Sequence, residues 1–247
     1  MNERFNNLLV GFREIELNSP NEQLKKYDLL LKNFSPFLLE IEEEKRINAA
    51  SYNIFSVLKI EFYEAKVHTP FLANLLDIDE THCQGDLFFN LFIKRFIPPN
   101  KQILFSSYDK DYLYCMEERR FNDSQPDIYI KHEHPDPNKR FAIIIENKIF
   151  AGDQEMQIKK YYDLLKSDEF TDNQIMIYYL KPILGEPSEY ALPKDLKEFL
   201  ISQNILLCID YINDIKNWLI ESKKEIRAVR LNNIIEHYLD NLKKFEL

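Results

Sequence analysis

The run Phe141-Ala142-Ile143-Ile144-Ile145, followed at once by Glu146-Asn147-Lys148, narrows the architecture more than any other stretch of the chain. Five consecutive apolar residues without alternation spell a strand covered on both faces, the centre of a sheet and not its rim. A second strand, residues 127–131, precedes it across Pro135-Asp136-Pro137-Asn138. Proline fixes φ in that segment and Asp or Asn bonds back onto the backbone, so it reads as a turn. In an antiparallel hairpin centred there, the start of the first strand faces the end of the second. Asp127 then lies beside Glu146 and Lys148. Side chains alternate along a strand, which puts Glu146 and Lys148 on one face and Asn147 on the other.

The remaining pattern is helical before this hairpin and mixed after it. Apolar residues at helical spacing predict helices over 21–39, interrupted at Ser35-Pro36, and over 41–66, with Ile47, Ala50, Ile54, Val57, Leu58 and Phe62 on the buried side. Shorter helices are expected at 71–76 and 87–96. Short apolar runs predict strands at 102–107, 112–118, 174–180 and 204–209, with a helix at 154–165. Helices at 210–221 and 228–245 close the chain. The reading is an α/β protein: a helical part over 1–100 packed on an α/β core over 101–247, together one compact domain. Residues 112–148 form a three-stranded meander, and a right-handed crossover through 154–165 makes the strand at 174–180 parallel to a meander strand.

Composition removes several classes of function. With 247 residues, 45% apolar, the chain can bury a core without disulfides or metal staples. Its three cysteines stand far apart, which suits reduced thiols in the cytoplasm. No apolar run approaches the ~20 residues a membrane span needs, and residues 1–14 lack the apolar core of a signal peptide. Gly11, Gly85, Gly152 and Gly185 build no phosphate-binding loop. A net charge of −9 gives no global footprint for nucleic acid, so such a ligand would need a local basic groove or bound cations.

Charges at the end of a buried strand are costly unless they are paired or hold a metal. Asp127, Glu146 and the intervening Asn147 carbonyl make a hard, all-oxygen donor set suited to Mg²⁺ or Mn²⁺. A structural ion pair, with Asp127 as a turn or cap residue, is the plainer alternative on strand geometry. Glu64 and His68 are four residues apart, as are Gln157 and Tyr161, so each pair shares a helix face, with Gln154 about one turn before Tyr161's partner. His132, His134 and Asp136 cluster in the turn, and His82-Cys83 places a thiol beside an imidazole; neither has the partners that its chemistry needs.

Pro126-Asp127 with Glu146-Asn147-Lys148 resembles the signature of the PD-(D/E)XK nuclease superfamily. The resemblance extends to EFYEAKVHTPFLANLLD at 61–77, ENKIFAGDQEMQIKKYY at 146–162 and IDYINDIKNWL at 209–219, and covers residues 50–240. These segments are similar to a branch of mostly uncharacterised bacterial proteins. The resemblance implies a restriction-endonuclease-like core, αβββαβ with a mixed central sheet and helical additions at both ends. It implies a nuclease that needs Mg²⁺ or Mn²⁺ and acts on DNA in preference to RNA, in defence, repair or mobile-element biology. Asp127, Glu146, the Asn147 carbonyl and Glu64 would hold the metal, with Glu61, Glu117 and Glu118 as competitors for the last place. Lys148 would position the attacking water. Gln157 and Tyr161 match a Gln-x-x-x-Tyr element that helps hold the site or the nucleic acid, with Gln154 and His68 in support. Lys223, Lys224, Arg227 and Arg230 could line one wall of a groove. The alternative is a non-catalytic nuclease-like module that binds nucleic acid or a partner protein.

Overall fold

Strand β3 (Phe141–Asn147) is buried at every position and lies at the centre of a five-stranded sheet in a computed structural model that describes residues 20–49, 52–117 and 125–246. The sheet order is sequential. β1 (Leu113–Glu117) and β2 (Ile128–His132) run antiparallel to each other, and β2 antiparallel to β3. β4 (Ile175–Lys181) and β5 (Leu206–Asp210) then add in parallel. The meander, the crossover and the parallel pairing all follow the sequence reading, and the architecture is α/β of the restriction-endonuclease-like kind.

The chain divides into two units, one ending at Tyr52 and the other running from Asn53 to Leu247. In the first, helix α1 (Pro20–Asn48) passes straight through Pro36, where two helices are expected. The Ser35 hydroxyl bonds the Leu31 carbonyl, a helix-internal bond that keeps the turn before the proline closed. The helix expected over 41–66 is not continuous. α1 stops at Asn48, α2 spans only Ile54–Val57, and Lys59 has left-handed φ of 56°, which no α-helix accommodates. Ile47, Val57, Leu58 and Phe62 are correspondingly exposed, against the expectation that they face a core. Residues 1–14, Ala50 and Glu118 lie outside the described residues.

In the second unit a π-helical turn (Glu64–His68) leads into α3 (Thr69–Leu76), followed by α4 (Leu87–Phe96). Residues 102–107 are not a strand but α5 (Gln102–Ser106), because Ile103 faces solvent while Phe105 packs on the Phe141 ring at 4.5 Å. A short apolar run carries no periodicity long enough to separate the two forms. α6 (Gln157–Ser167) makes the crossover from β3 to β4. α7 (Lys194–Ser202), which the reading leaves out, precedes β5, and α8 (Lys216–Glu225) and α9 (Val229–Leu242) end the fold.

Helices cover both faces of the sheet. Phe141, Ile143 and Ile145 join one core with residues of α3, α4, α8 and α9. Ala142 and Ile144 join the other with Ile158, Tyr161 and Leu165 of α6 and Leu200 of α7. Each buried Ile or Phe contributes roughly 1.5–3 kcal/mol of transfer free energy. That fixes β3 firmly enough for its end to hold charges in place.

Candidate active site at the end of strand β3

The register Ile128↔Ile145 carries Asp127 opposite Glu146, as the hairpin argument requires. Asp127 Oδ2 accepts the Asn147 backbone N–H at 2.7 Å. Glu146 is 1% exposed, and both its oxygens are engaged. Oε1 meets the Lys148 ammonium at 2.7 Å and the Gln157 side-chain amide at 2.7 Å. Oε2 accepts the Tyr161 hydroxyl at 2.6 Å. The hydroxyl also stands 3.1 Å from the Gln125 carbonyl, but its one hydrogen serves the shorter bond to Glu146. The four-residue spacing of Gln157 and Tyr161 therefore delivers two donors to one carboxylate.

Asn147 points through the sheet to the other face. Its amide donates to Thr69 Oγ1 at 3.1 Å and its oxygen accepts the Tyr211 hydroxyl at 3.0 Å. Thr69 and Tyr211 stand 78 and 64 residues away in the chain, so no local pattern announces them. Glu64, from the π-helical turn, accepts the Ile149 N–H at 2.5 Å and so reaches the backbone just beyond Lys148. Its competitor Glu61 is paired with Lys244 at 2.8 Å, and Glu117 sits on the edge strand β1.

Three expected supports are placed otherwise. His68 does not join Glu64 at the cluster, because its ring is turned into the core. It is fully buried, its Nε2–H donating to the Glu61 carbonyl at 2.8 Å and its Nδ1 accepting the Tyr238 hydroxyl at 2.7 Å. Burial pushes its pKa down to about 4, so it is a neutral core residue. Gln154 lies in the loop before α6 and meets Gln157 through its backbone, its N–H donating to the Gln157 side-chain oxygen at 3.4 Å and its carbonyl accepting the Gln157 N–H at 3.3 Å. Lys223 pairs with Glu236 at 3.1 Å. His132 is held by the Lys139 carbonyl and the Asp109 N–H, His134 Nδ1 accepts the Asp136 N–H, Asp136 Oδ1 accepts the Asn138 N–H, and His82 is held by Asp77 and Gln84.

Like charge dominates the electrostatics. Burial pushes the Asp127 carboxyl up to about 8, reinforced by Glu146 and Glu64 and opposed by the Asn147 N–H. Burial also raises Glu146, against the stabilising Lys148 ammonium and Tyr161 hydroxyl. Lys148 is penalised by burial, yet Glu146, Asp127 and Glu64 outweigh that and raise its pKa. A single lysine faces several carboxylates, which is a site with room for further positive charge.

No group of three or more His, Cys, Asp or Glu side chains among the described residues is already gathered at metal-ligating geometry. The donor chemistry nevertheless suits a hard divalent cation. Asp127 Oδ1 and Glu64 Oε1 meet no donor among the described residues, and Glu146 Oε2 accepts from Tyr161 alone. An ionised carboxylate oxygen has two lone pairs, so each of the three can still give one to a cation. The cavity of about 290 Å³ lined by Asp77, Tyr114, Lys131 and Glu133 runs along β1 and includes none of these groups.

A family model for the PD-(D/E)XK nuclease superfamily matches residues 52–240, which include the whole sheet and every residue of this cluster. Proteins of that superfamily are generally nucleases and usually use divalent metals. No curated protein and no solved structure matches the chain. The length of the match and the signature it spans give the conclusion that the chain belongs to the PD-(D/E)XK nuclease superfamily.

Proposed function

We propose that the protein is a metal-dependent nuclease that hydrolyses phosphodiester bonds, with DNA in preference to RNA as its substrate. The observation that carries this reading is the buried Lys148–Glu146 contact of 2.7 Å beside Asp127, at the end of the central strand. Asp127, Glu146 and Glu64, with the Asn147 carbonyl, would hold Mg²⁺ or Mn²⁺. When bound, such an ion neutralises charge developing on the phosphate and lowers the pKa of its water. Gln157 and Tyr161 fix Glu146 in one rotamer and leave it no freedom to swing away. Lys148 carries a full positive charge, raised in pKa by its neighbours, and holds the attacking water against the phosphorus. Its low-dielectric setting strengthens that action on the phosphate's negative charge. Free thiols at Cys83, Cys115 and Cys208 fit a cytoplasmic site of action, in defence, repair or mobile-element biology.

A non-catalytic, nuclease-like module is the second reading, favoured by the full engagement of both Glu146 oxygens, as in a structural ion pair. One assay separates the two. Wild type and Lys148→Ala are incubated with linear, circular and single-stranded DNA and with RNA, in Mg²⁺, Mn²⁺ or EDTA. Cleavage by wild type in metal, lost in EDTA and in the variant, supports the nuclease. Absence of cleavage under all conditions transfers the cluster to the second reading.

A further inference from the structure

Two exposed aromatic residues flank the carboxylate cluster. Phe150 is 74% exposed and stands two residues after Lys148. Phe62, also open to solvent, stands two residues before Glu64. The Ile149 N–H bond to Glu64 fastens the two segments together, and the rings meet edge to face at 5.4 Å. A lone exposed phenylalanine is ordinary. Phe150 differs in its place and in its support. Behind it Phe62 contacts Phe245 at 5.7 Å, and Phe245 contacts Tyr211 at 5.4 Å. Tyr211 in turn holds the Asn147 side chain. A line of rings thus runs from beneath the end of β3 out to solvent beside Lys148, and its last member is left bare.

A planar apolar ring next to a site for an anionic backbone is what an unpaired base needs. Every base has a π face, and stacking on an aromatic side chain is tolerant of sequence. A base inside a duplex already stacks on its neighbours and cannot use the ring without being extruded. The rigid backing lowers the ordering cost of making the contact. Resting on the nuclease reading above, we propose that Phe150, backed by Phe62, stacks an unpaired base next to the phosphate that is cut. The substrate is accordingly a nucleic acid with single-stranded character at the point of scission.

The test uses the full chain carrying Lys148→Ala, so that no strand is cut, alone and combined with Phe150→Ala or Phe150→Trp. Affinity is measured for a single-stranded DNA oligonucleotide containing 2-aminopurine, its RNA counterpart, and the blunt DNA duplex of the same sequence, at one salt concentration. Phe150→Ala should weaken single-strand binding about ten-fold, the lower part of the range expected for one stacked base. It should also abolish the quenching of 2-aminopurine and leave duplex binding unchanged, and Phe150→Trp should restore both. An equal loss on duplex and single strand, no loss at all, or no oligonucleotide binding overturns the proposal. So does a Phe150→Ala variant that changes only the oligomeric state, since the ring then covers a second copy of the chain. Cleavage is followed in parallel with Lys148 intact. Cleavage without a Phe150 effect removes the platform alone, whereas a selective Phe150 effect without cleavage removes the nuclease reading alone.

Discussion

The two ends of the central sheet bury polar groups in opposite ways. At the end where β3 and β4 begin, His132 donates from Nδ1 to the Lys139 carbonyl at 2.7 Å and accepts the Asp109 N–H at 3.1 Å. Lys101 lies there almost fully buried and donates to the Asp172 and Ile175 carbonyls at 2.8 and 2.9 Å. Its bonding partners are carbonyl dipoles, and burial drives its pKa down to about 8 against the opposing pull of the Asp172 carboxylate. At the other end Asp127, Glu146 and Glu64 crowd one lysine, and Asp127 is driven up to about 8. The first end is satisfied by neutral partners and closes the fold. The second is held in place by Gln157, Tyr161 and the Asn147 N–H, yet keeps an excess of like charge. Repulsion that survives inside such a well-bonded frame is what the proposed cation would relieve.

The largest effect should fall on chemistry at the charged end. Lys148→Ala should lower the cleavage rate on the order of 10²–10³-fold or more, the range for loss of one stabilising group, with metal binding largely retained. Single-turnover cleavage and calorimetric titration with Mn²⁺ separate the two quantities. Equal loss of metal binding would make Lys148 part of the ligand frame. Tyr161→Phe and Gln157→Ala should each cost about 10–100-fold, because both hold Glu146, the proposed ligand, in place.

The satisfied end should respond in stability instead. Lys101→Met removes the ammonium from the Ile175 carbonyl and from the Asp172 carbonyl, which keeps the Ile175 N–H, so it should cost about 1–3 kcal/mol and lower the midpoint of urea unfolding without altering the kcat of cleavage. An unchanged midpoint would mean that water replaces the ammonium. At the charged end, Asp127→Ala leaves the Asn147 N–H unpaired and should cost about 1–3 kcal/mol in the metal-free protein. Asp127→Asn retains an acceptor and removes the repulsion, so it should be as stable as wild type or more so.

Much of this contrast is legible in the sequence. The unbroken apolar run of β3, the proline-bearing turn and the period of two fix the Asp127–Glu146 register. A four-residue spacing puts Gln157 and Tyr161 on one helix face, but does not show that both reach Glu146. What escapes are facts decided far along the chain. His68 is claimed by Tyr238, 170 residues away, and helical spacing to Glu64 cannot reveal that. The same holds for the helix at 102–106, where five residues leave the ring of Phe141 to choose between helix and strand. The break of the 41–66 helix is equally silent, because its apolar residues sit at helical spacing whether or not a core covers them.

The smallest effects lie in the pH dependence, where the two kinds of buried group pull oppositely. His68 titrates lower folded than unfolded, so its contribution is present above about pH 6.5 and is lost as pH falls toward 4. Asp127 titrates higher folded than unfolded, so the folded state holds the extra proton between about pH 4 and 8. Its contribution is full below that window and lost as pH rises through it. Unfolding of the metal-free protein in EDTA should therefore show a falling component over pH 4–8 that Asp127→Asn removes. A pH profile identical in the two proteins would show that Asp127 is not strained in the folded state.

The central claim is that the like charges at the end of β3 form a divalent-cation site, and thermal unfolding with and without metal tests it most directly. Mg²⁺ or Mn²⁺ at millimolar concentration should raise the Tm of wild type, since a ligand that binds only the folded state stabilises it by mass action. The same ions should leave Asp127→Asn unmoved, with calorimetry giving a saturable binding isotherm for the first protein and none for the second. Equal Tm shifts in both proteins, or no binding by wild type, would contradict the account and leave Asp127, Glu146 and Lys148 as a structural ion-pair network.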